Sequence, residues 1–325
     1  MRHSRRTILL QVAAALAGAI AIDPALAQAP AWPSRPLKIL VGFPPGSTPD
    51  MAARIVAEPL AKALGQAVVV ENRPGASGNI AADLVAKASD DHTLGVVING
   101  NLTSAAQLNP KLPYDPAKDF ALISQLTSAP LVLVTTPEQP AGAEFFSAAR
   151  AGGEKWNYGS VGIGSVGHLG MELLAAKAGL KPVHIPFKGN PDVVTAMIGG
   201  QVQMALVPPG IAMPQVRAGK LRAVGVTGAR TPLVPELPPL ADAGVSGFEL
   251  EVWTAVVGPA SLSPAAQARL AAVLPALVRE AETKQKLFNV GWDAQGSSAE
   301  ALRSRVRAEA ASLGAIISMK GIKVD

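Results

Sequence analysis

The first third of the chain alternates short apolar runs with longer segments that carry apolar residues at helical spacing. Leu37–Phe43 is an apolar run typical of a buried strand, and Thr48 is placed to cap a helix that follows it and ends at Gly65. The pattern then repeats as strand, helix and strand over Ala67–Glu71, 77–88 and Leu94–Ile98. Such alternation indicates an α/β fold with mostly parallel sheets.

A second series of the same kind begins after a stretch, Gly100–Phe120, that we predict to be mostly loop. Two apolar segments lead into it, and its strands and helices are predicted over Asn157–Ser160, Gly167–Gly179, Val183–Phe187, Pro191–Ile198 and Val202–Val207. The tail from Pro264 has helical periodicity. Two series separated near residue 128, with a helical tail, predict two similar α/β lobes.

Composition removes several classes of function. The chain has no cysteine, which excludes a disulfide framework, a cysteine nucleophile and a thiolate metal site. The net charge of +5 is small and scattered, and aromatic residues make up 4% of the chain, so nothing favours nucleic-acid binding. His92, His168 and His184 lack the spacing of metal ligands, and we predict neither a metal nor a cofactor.

The N-terminus has the three parts of a secretory signal. Arg2, Arg5 and Arg6 form a basic region, Ile8–Ile22 is largely apolar, and Ala25-Leu26-Ala27 is an A-x-A cleavage site. We therefore predict that residues 1–27 are a signal peptide and that the mature protein is exported to a bacterial periplasm. The adjacent arginines also match a twin-arginine signal.

Two glycine-rich loops follow a strand and open a helix. The first runs from Phe43 to Asp50 and the second from Ser160 to His168. A helix start offers unpaired backbone N–H groups and the positive end of the helix dipole, and glycine lets a ligand approach the backbone closely. Two such loops in an exported protein predict a cleft that grips a small carboxylate from both sides.

Ser165 and His168 raise the alternative of a hydrolase, because they lie one helical turn apart. The nucleophile motif G-x-S-x-G is not met, since Ile163 stands where its first glycine belongs. A serine that caps the helix and a histidine in the pocket wall explain the same residues. The spacing Gly162-x-Gly164-x-x-Gly167 matches a dinucleotide fingerprint, but the next strand ends without the acidic residue that this fingerprint requires.

Several different short motifs follow one another along nearly all of the predicted mature chain. They are Phe43-Pro44-Pro45-Gly46-Ser47-Thr48-Pro49-Asp50, Val70-Glu71-Asn72-Arg73-Pro74-Gly75-Ala76, Leu112-Pro113-Tyr114-Asp115-Pro116, Tyr158-Gly159-Ser160 through His168-Leu169, Ile185-Pro186-Phe187-Lys188-Gly189 and Ala241-Asp242-Ala243-Gly244. With these motifs the chain resembles the periplasmic solute-binding proteins of tripartite tricarboxylate transporters, the Bug family.

This resemblance implies a type II periplasmic binding-protein fold, with two α/β lobes, two crossing strands and a ligand cleft between the lobes. We place the crossings near Ser124–Pro130 and Gly247–Thr254. Lobe 1 would combine residues 28–127 with 249–325, and lobe 2 would be 128–248. The family implies a monomer without catalysis, cofactor or metal, which captures a small organic acid and delivers it to integral-membrane permease subunits. A sensor subunit of a two-component system is an alternative that uses the same cleft.

Carried onto this chain, the resemblance implies ligand contacts from both loops: Phe43, Gly46, Ser47, Thr48, Asp50, Ser160, Gly164, Ser165 and His168. Asn101, Thr103 and Ser104 are further candidate contacts, which would replace the family threonine that is Ala105 in this chain. Asp50 would repel a carboxylate placed directly on it, so a bridging water, a ligand ammonium or a loop-holding role is considered for it.

The chain departs from the family pattern at three positions. Ser47 replaces the second glycine of the first loop, Ala105 replaces a threonine, and Val207 stands where a polar residue is common. These changes favour a less polar ligand, such as an aromatic or longer-chain acid.

Overall fold

A computed structural model of the chain describes residues 32–322. The predicted signal peptide lies outside the described residues. The strands, in chain order, are β1 (Leu37–Val41), β2 (Val68–Asn72), β3 (Thr93–Ile98), β4 (Phe120–Pro130), β5 (Val132–Thr135), β6 (Asn157–Ser160), β7 (Val183–Pro186), β8 (Met204–Val207), β9 (Arg222–Val226), β10 (Glu251–Pro259) and β11 (Asp293–Ala294).

The helices begin after the first strand and continue to the end of the described chain. They are α1 (Thr48–Leu64), α2 (Asn79–Ala86), α3 (Asn99–Leu102), α4 (Ala105–Leu108), α5 (Gly142–Gly152), α6 (Val166–Ala178), α7 (Asn190–Ile198), α8 (Pro209–Arg217), α9 (Pro264–Arg279), α10 (Ala281–Asn289) and α11 (Ala299–Lys320). None of the helices within residues 32–322 is long and apolar enough to cross a bilayer.

The strands form two sheets, which confirms the α/β fold class. The first has the order β11-β4-β10-β3-β1-β2 and the second has the order β7-β6-β8-β5-β9. In the first sheet β1 runs parallel to both β2 and β3, so the chain leaves β1 for one neighbour and later returns to the other side. Ligands of open α/β sheets bind outside the carboxyl ends of strands at such a switch point.

The expectation of mostly parallel sheets is wrong. β10 pairs antiparallel with β3 and β4, and β5 pairs antiparallel with β8 and β9. These strands lie where the chain passes from one sheet to the other, and a strand that enters from the opposite sheet runs against its neighbours. The change of sheet falls between Pro130 and Val132 and between Val226 and Glu251. The lobe boundaries at residues 127/128 and 248/249 stay a prediction.

The segment Gly100–Phe120, expected to be mostly loop, contains the short helices α3 and α4. The Asn101 side chain makes the first of them possible, because its Oδ1 accepts the backbone N–H of Ile98, where the strand ends and the helix starts. Asn101 Nδ2 also donates to Ser77 O, 3.0 Å away. An asparagine that bonds local backbone in this way stabilises a turn that hydrophobic periodicity does not show.

Helix α1 begins one residue earlier than its sequence signal indicates. Ser47, rather than Thr48, occupies the capping position, and Gly65 ends the helix in the left-handed conformation as predicted. The buried face of α1 packs into a core that also contains Trp292. The indole Nε1 of Trp292 donates to the carbonyl of Thr48, 3.2 Å away, and so fixes the start of α1 against the C-terminal helices.

Candidate functional site

The first glycine-rich loop is held in shape by Asp50. Its carboxylate accepts the N–H of Gly46 at 2.9 Å, the Nδ2 of Asn72 at 2.8 Å and the guanidinium of Arg54 at 3.0 Å. Burial alone would raise the pKa of Asp50, but the hydrogen bonds from Arg54, Asn72 and Gly46 outweigh it, and the pKa lies below its usual value. The Asp50 side chain is 2% exposed. Its buried carboxylate therefore holds the loop in shape through these hydrogen bonds.

The loop leaves one side-chain oxygen without a partner. Ser47 Oγ is buried and makes no hydrogen bond within the described part of the chain. It lies at the N-terminus of α1, where Pro49 supplies no N–H for it to accept. Phe43 packs in the hydrophobic core, 3% exposed. The loop therefore combines an apolar anchor, an internal carboxylate and one free hydroxyl.

The segment after β3 supplies hydroxyl groups with different roles. Thr103 Oγ1 donates to the carbonyl of Asn99 within its own turn. Ser104 Oγ lies 2.7 Å from the carbonyl of Gly164, which belongs to the second glycine-rich loop. Thr103 is thus satisfied within its own turn. Ser104, besides a longer contact of 3.3 Å with the carbonyl of Gly100, joins the two halves of the molecule, each of which is built around one of the two sheets.

The second loop is fastened by side chains that follow it. Ser165 caps helix α6, since its Oγ accepts the backbone N–H of His168 at 3.2 Å. In return, the Nδ1 of His168 accepts the N–H of Gly164 at 3.1 Å. Ser160 Oγ accepts the N–H of Gly162 and lies 2.7 Å from the Nε2 of His184. Burial lowers the pKa of His168 and of His184 to about 4, so both rings are neutral at pH 7.

This arrangement does not form the Ser165–His168 dyad of a hydrolase. The Ser165 hydroxyl faces a backbone N–H, and the His168 ring accepts from the loop. Within residues 32–322 no hydrogen bond joins Ser165 Oγ to the His168 ring. The geometry is that of a helix cap and its reciprocal partner.

Side-chain hydrogen bonds cross between the halves of the molecule along the rim of the cleft. Besides the Ser104 contact, Ser77 Oγ donates to the carbonyl of Ile163 at 3.1 Å, and Asn190 Nδ2 lies 3.3 Å from Thr48 Oγ1. Ser77, in the turn between β2 and α2 that contacts Ile163, adopts a left-handed backbone conformation with φ of 55°. A Cβ atom on Gly162 would overlap the Ser77 hydroxyl. The two halves are therefore in direct contact along the rim of the cleft.

A cavity of about 630 Å³ lies between the halves, at the carboxyl end of β3 and beside the start of α6. Its wall contains Gly75, Ala76, Ser77, Asn79, Ile98, Gly100, Asn101, Ser104, Ala105, Leu108, Asn109, Gly162, Ile163, Gly164, Ser165, Pro186, Phe187, Lys188 and Asp192.

Some of the predicted site residues belong to this wall and others do not. Asn101, Ser104, Gly164 and Ser165 line the cavity. Outside its lining are Phe43, Gly46, Ser47, Thr48, Asp50, Thr103, Ser160 and His168. Sequence reasoning left out Asn79, Ile98, Leu108 and Phe187. Phe187 and Lys188 belong to the motif Ile185-Pro186-Phe187-Lys188-Gly189, so the loop after β7 is the sequence signal that points to them.

The described residues offer no cluster of three or more histidine or acidic side chains that could hold a metal ion. The wall of the cavity contains Lys188 and Asp192 as its charged residues. Its binding chemistry consists of backbone groups, amides, hydroxyls and an apolar surface formed by Ile98, Leu108 and Phe187.

Comparison with known proteins agrees with this architecture. The family model described as "Tripartite tricarboxylate transporter family receptor" matches residues 52–322. A UPF0065 protein of a Pseudomonas species is 34% identical over 288 residues, which cover 86% of this chain and 84% of that protein. BugT from Bordetella pertussis is 33% identical over 238 residues, which cover 72% and 73% of the two chains.

Solved structures give the same result. An R. palustris protein solved with adipate superposes with a TM-score of 0.85 at 31% identity, covering 90% of this chain and 99% of that one. MatC from Rhodopseudomonas palustris, solved with bound malate, gives a TM-score of 0.82 at 30% identity, covering 88% and 100%. From the family match and the shared two-sheet fold, the chain belongs to the tripartite tricarboxylate transporter receptor family, whose members are periplasmic solute-binding proteins.

Proposed function

We propose that this chain binds a small carboxylate in the cavity between its halves and delivers it to a membrane permease. The observation that carries the proposal is the cavity itself, whose wall includes Gly164 and Ser165 at the start of α6. Val166 and Gly167, the first residues of that helix, have N–H groups without partners inside it, and these suit an anion. Relatives of the same fold were solved with adipate and with malate.

The ligand is a carboxylate with an apolar chain. Ile98, Leu108 and Phe187 give the cavity an apolar surface, while Asn79 and Lys188 offer hydrogen-bond donors. A wall of this kind stabilises a methylene chain by removing it from water and holds its charged end by a few directed donors. The proposal therefore favours adipate over malate, in line with the less polar ligand expected from the sequence.

The remaining site assignments follow from the contacts. The proposal gives ligand contacts to Gly164 and Ser165, which line the cavity, and loop-holding roles to Asp50 and Asn101. Ligand binding is coupled to closure of the halves through the cross-cleft bonds, because a ligand favours the closed form only by its higher affinity for it. The closed monomer then presents a surface to the permease. Export by the signal peptide at residues 1–27, and binding without catalysis, are parts of the same proposal.

A thermal-shift screen tests this function. The mature chain, residues 28–325, is expected to show a selective rise in melting temperature with adipate, malate, citrate or benzoate in the panel. A ligand at 100 times its Kd adds about 2.7 kcal/mol of stability, which corresponds to several degrees. Protein refolded from denaturant serves as the control for co-purified ligand. No shift with any carboxylate after refolding would contradict the proposal, and citrate binding far more tightly than adipate would contradict the apolar preference.

Ser104→Ala is expected to weaken ligand binding about fivefold to tenfold, because it removes a hydrogen bond that exists when the halves are closed. The melting temperature of the free protein should change little. Thr103→Val is the matched control, since the neighbouring hydroxyl bonds within its own turn, and its affinity should equal that of the unaltered chain. Titration calorimetry with adipate measures both. Equal affinities for the two variants would show that the Ser104 bond does not contribute to binding.

A further inference from the structure

Buried serine and histidine side chains hold the second glycine-rich loop in shape by hydrogen bonds. Ser165 and His168 form a reciprocal pair, in which the serine side chain accepts the histidine N–H and the histidine ring accepts the N–H of Gly164. The pair resembles a capping box, where glutamate usually takes the second position. Here a buried imidazole, 5% exposed, replaces the carboxylate.

A second imidazole fastens the other end of the loop. The Nε2 of His184, on β7, lies 2.7 Å from Ser160 Oγ, which accepts the N–H of Gly162 and also lies 3.1 Å from the Gly162 carbonyl. The two imidazole rings stack with their centroids 4.1 Å apart and their planes 25° apart. Gly162 and Gly164, whose N–H groups are used in this way, both line the cavity. The rings thus hold the cavity-lining loop from behind.

We propose that His168 and His184 are positioning residues of the ligand site, which as neutral imidazoles hold the loop in its binding shape without placing a carboxylate against it. The inference rests on the proposed function, because it explains the choice of imidazole by an anionic ligand. A glutamate at the position of His168 would accept the same N–H, but its charge would oppose an anion at the start of α6. A protonated His168 carries a hydrogen on both ring nitrogens and cannot accept the N–H of Gly164.

The surroundings keep both rings neutral. Tyr158, on β6, stacks on His184 with centroids 4.8 Å apart, and its hydroxyl donates to Glu172, on α6, at 2.6 Å. Burial is the main cause that lowers the pKa of each histidine, and for His184 the neighbouring His168 lowers the pKa further while Glu172 opposes the shift. Glu172 is the acidic group facing the pair, and Tyr158 the other titratable one.

Variants that separate the hydrogen bond from the ring test the inference. In His168→Asn the amide Oδ1 takes the place of Nδ1 and can accept the N–H of Gly164, whereas His168→Ala removes the acceptor. For His184 the corresponding pair is His184→Gln and His184→Ala. With adipate as the probe, we expect the alanine variants to bind about tenfold more weakly and the amide variants to stay within about threefold of the unaltered chain. Alanine variants that bind normally, or amide variants as weak as alanine, would overturn the inference.

Two readouts do not depend on the ligand. Hydrogen exchange over residues 160–168 should be about tenfold faster in His168→Ala than in the unaltered protein and should return to its slow rate in His168→Asn. In the unaltered protein at pH 7, ¹⁵N NMR should show His168 protonated at Nε2 alone. A proton on Nδ1 of His168, or unchanged hydrogen exchange in His168→Ala, would overturn the inference whether or not a carboxylate binds. A failure of every carboxylate to bind would contradict the proposed function instead.

A pH series adds a test of the charge argument. Because a protonated His168 cannot accept the Gly164 N–H, the affinity of the unaltered chain should fall as the pH approaches 4. His168→Asn has no proton to gain there, so the ratio of its Kd to that of the unaltered chain should decrease as the pH falls. Since both proteins meet the same adipate, protonation of the ligand cancels in this ratio. A ratio that stays constant from pH 7 to pH 4 would refute the role of neutrality.

Discussion

Gly210→Ala is expected to lower ligand affinity about 100-fold, which corresponds to about 2.7 kcal/mol, while the melting temperature of the free protein changes by less than about 2 °C. Gly210 lies in the first turn of α8, in the half that contains the second sheet, and a Cβ atom there would overlap the carbonyl oxygen of Val290 in the other half. The obstacle is backbone, so no side-chain rotation removes it. The variant should fold normally but hold the halves apart.

Gly199→Ala is the matched control for this experiment. It lies in the same half, its φ of −79° suits alanine, and the nearest atom to an added Cβ would be 3.4 Å away. Calorimetry with adipate measures the affinities. Small-angle scattering in the presence of adipate shows whether the halves of the variant stay apart. If Gly210→Ala binds as tightly as Gly199→Ala, close approach of Gly210 to Val290 is not needed for binding.

Asp50→Ala is expected to lower the free energy of unfolding by about 2–3 kcal/mol, or the melting temperature by about 5 °C. The change leaves the N–H of Gly46 and the amide of Asn72 without their shared acceptor and removes the carboxylate partner of Arg54, which keeps its bond to Asn72 Oδ1. The effect stays below that of a fully buried ion pair because half of the Arg54 side chain is exposed to solvent. Thermal and urea unfolding measure it.

The loop that Asp50 holds in shape includes Thr48, whose hydroxyl accepts from Asn190 across the cleft, so adipate affinity should fall as well. Glu58→Ala, which breaks an exposed ion pair with Lys62 on the same helix, is the control and should change neither quantity. If Asp50→Ala and Glu58→Ala are equally stable, the hydrogen bonds of Asp50 do not stabilise the loop.

The sign of the pH dependence follows from the lowered pKa of Asp50. Its folded pKa lies below the value of 3.8 in the unfolded chain, so its contribution to stability is present above about pH 3.8 and is lost as the pH falls through the folded pKa. Asp50→Asn removes this carboxyl titration. A difference in unfolding free energy between the two proteins that does not shrink at low pH would contradict the assignment.

The histidines act over a different pH range. Their folded pKa values, about 4, lie below the 6.5 of an unfolded histidine. Between pH 6.5 and 4 the unfolded chain binds more protons than the folded one, so His168 and His184 make stability decrease as the pH falls through that window. The loss of stability at low pH therefore has two parts. The histidines cause the part above pH 4, and Asp50 causes the part below it.

Local features of the chain were predictable because they depend on nearby residues. Helix α1 ends at Gly65, where the left-handed conformation suits glycine, and helix α7 begins at Asn190, beside Pro191. The Ser165-x-x-His168 spacing indicated a cap, and the structure contains that cap. The helices α3 and α4 were missed, since Asn101 rather than periodicity stabilises their start.

The contacts across the cleft arise only in the folded protein, because they join residues that are far apart along the chain. Ser77 reaches Ile163, 86 positions away along the chain, and Ser104 reaches Gly164, 60 positions away. Most of the strands, the glycine-rich loops and the family motifs could be predicted from the order of residues alone, because turns, caps and hydrophobic faces arise from neighbouring residues. Which backbone atoms face each other across the cleft depends on how two separately packed sheets are oriented, and no local pattern carries that orientation.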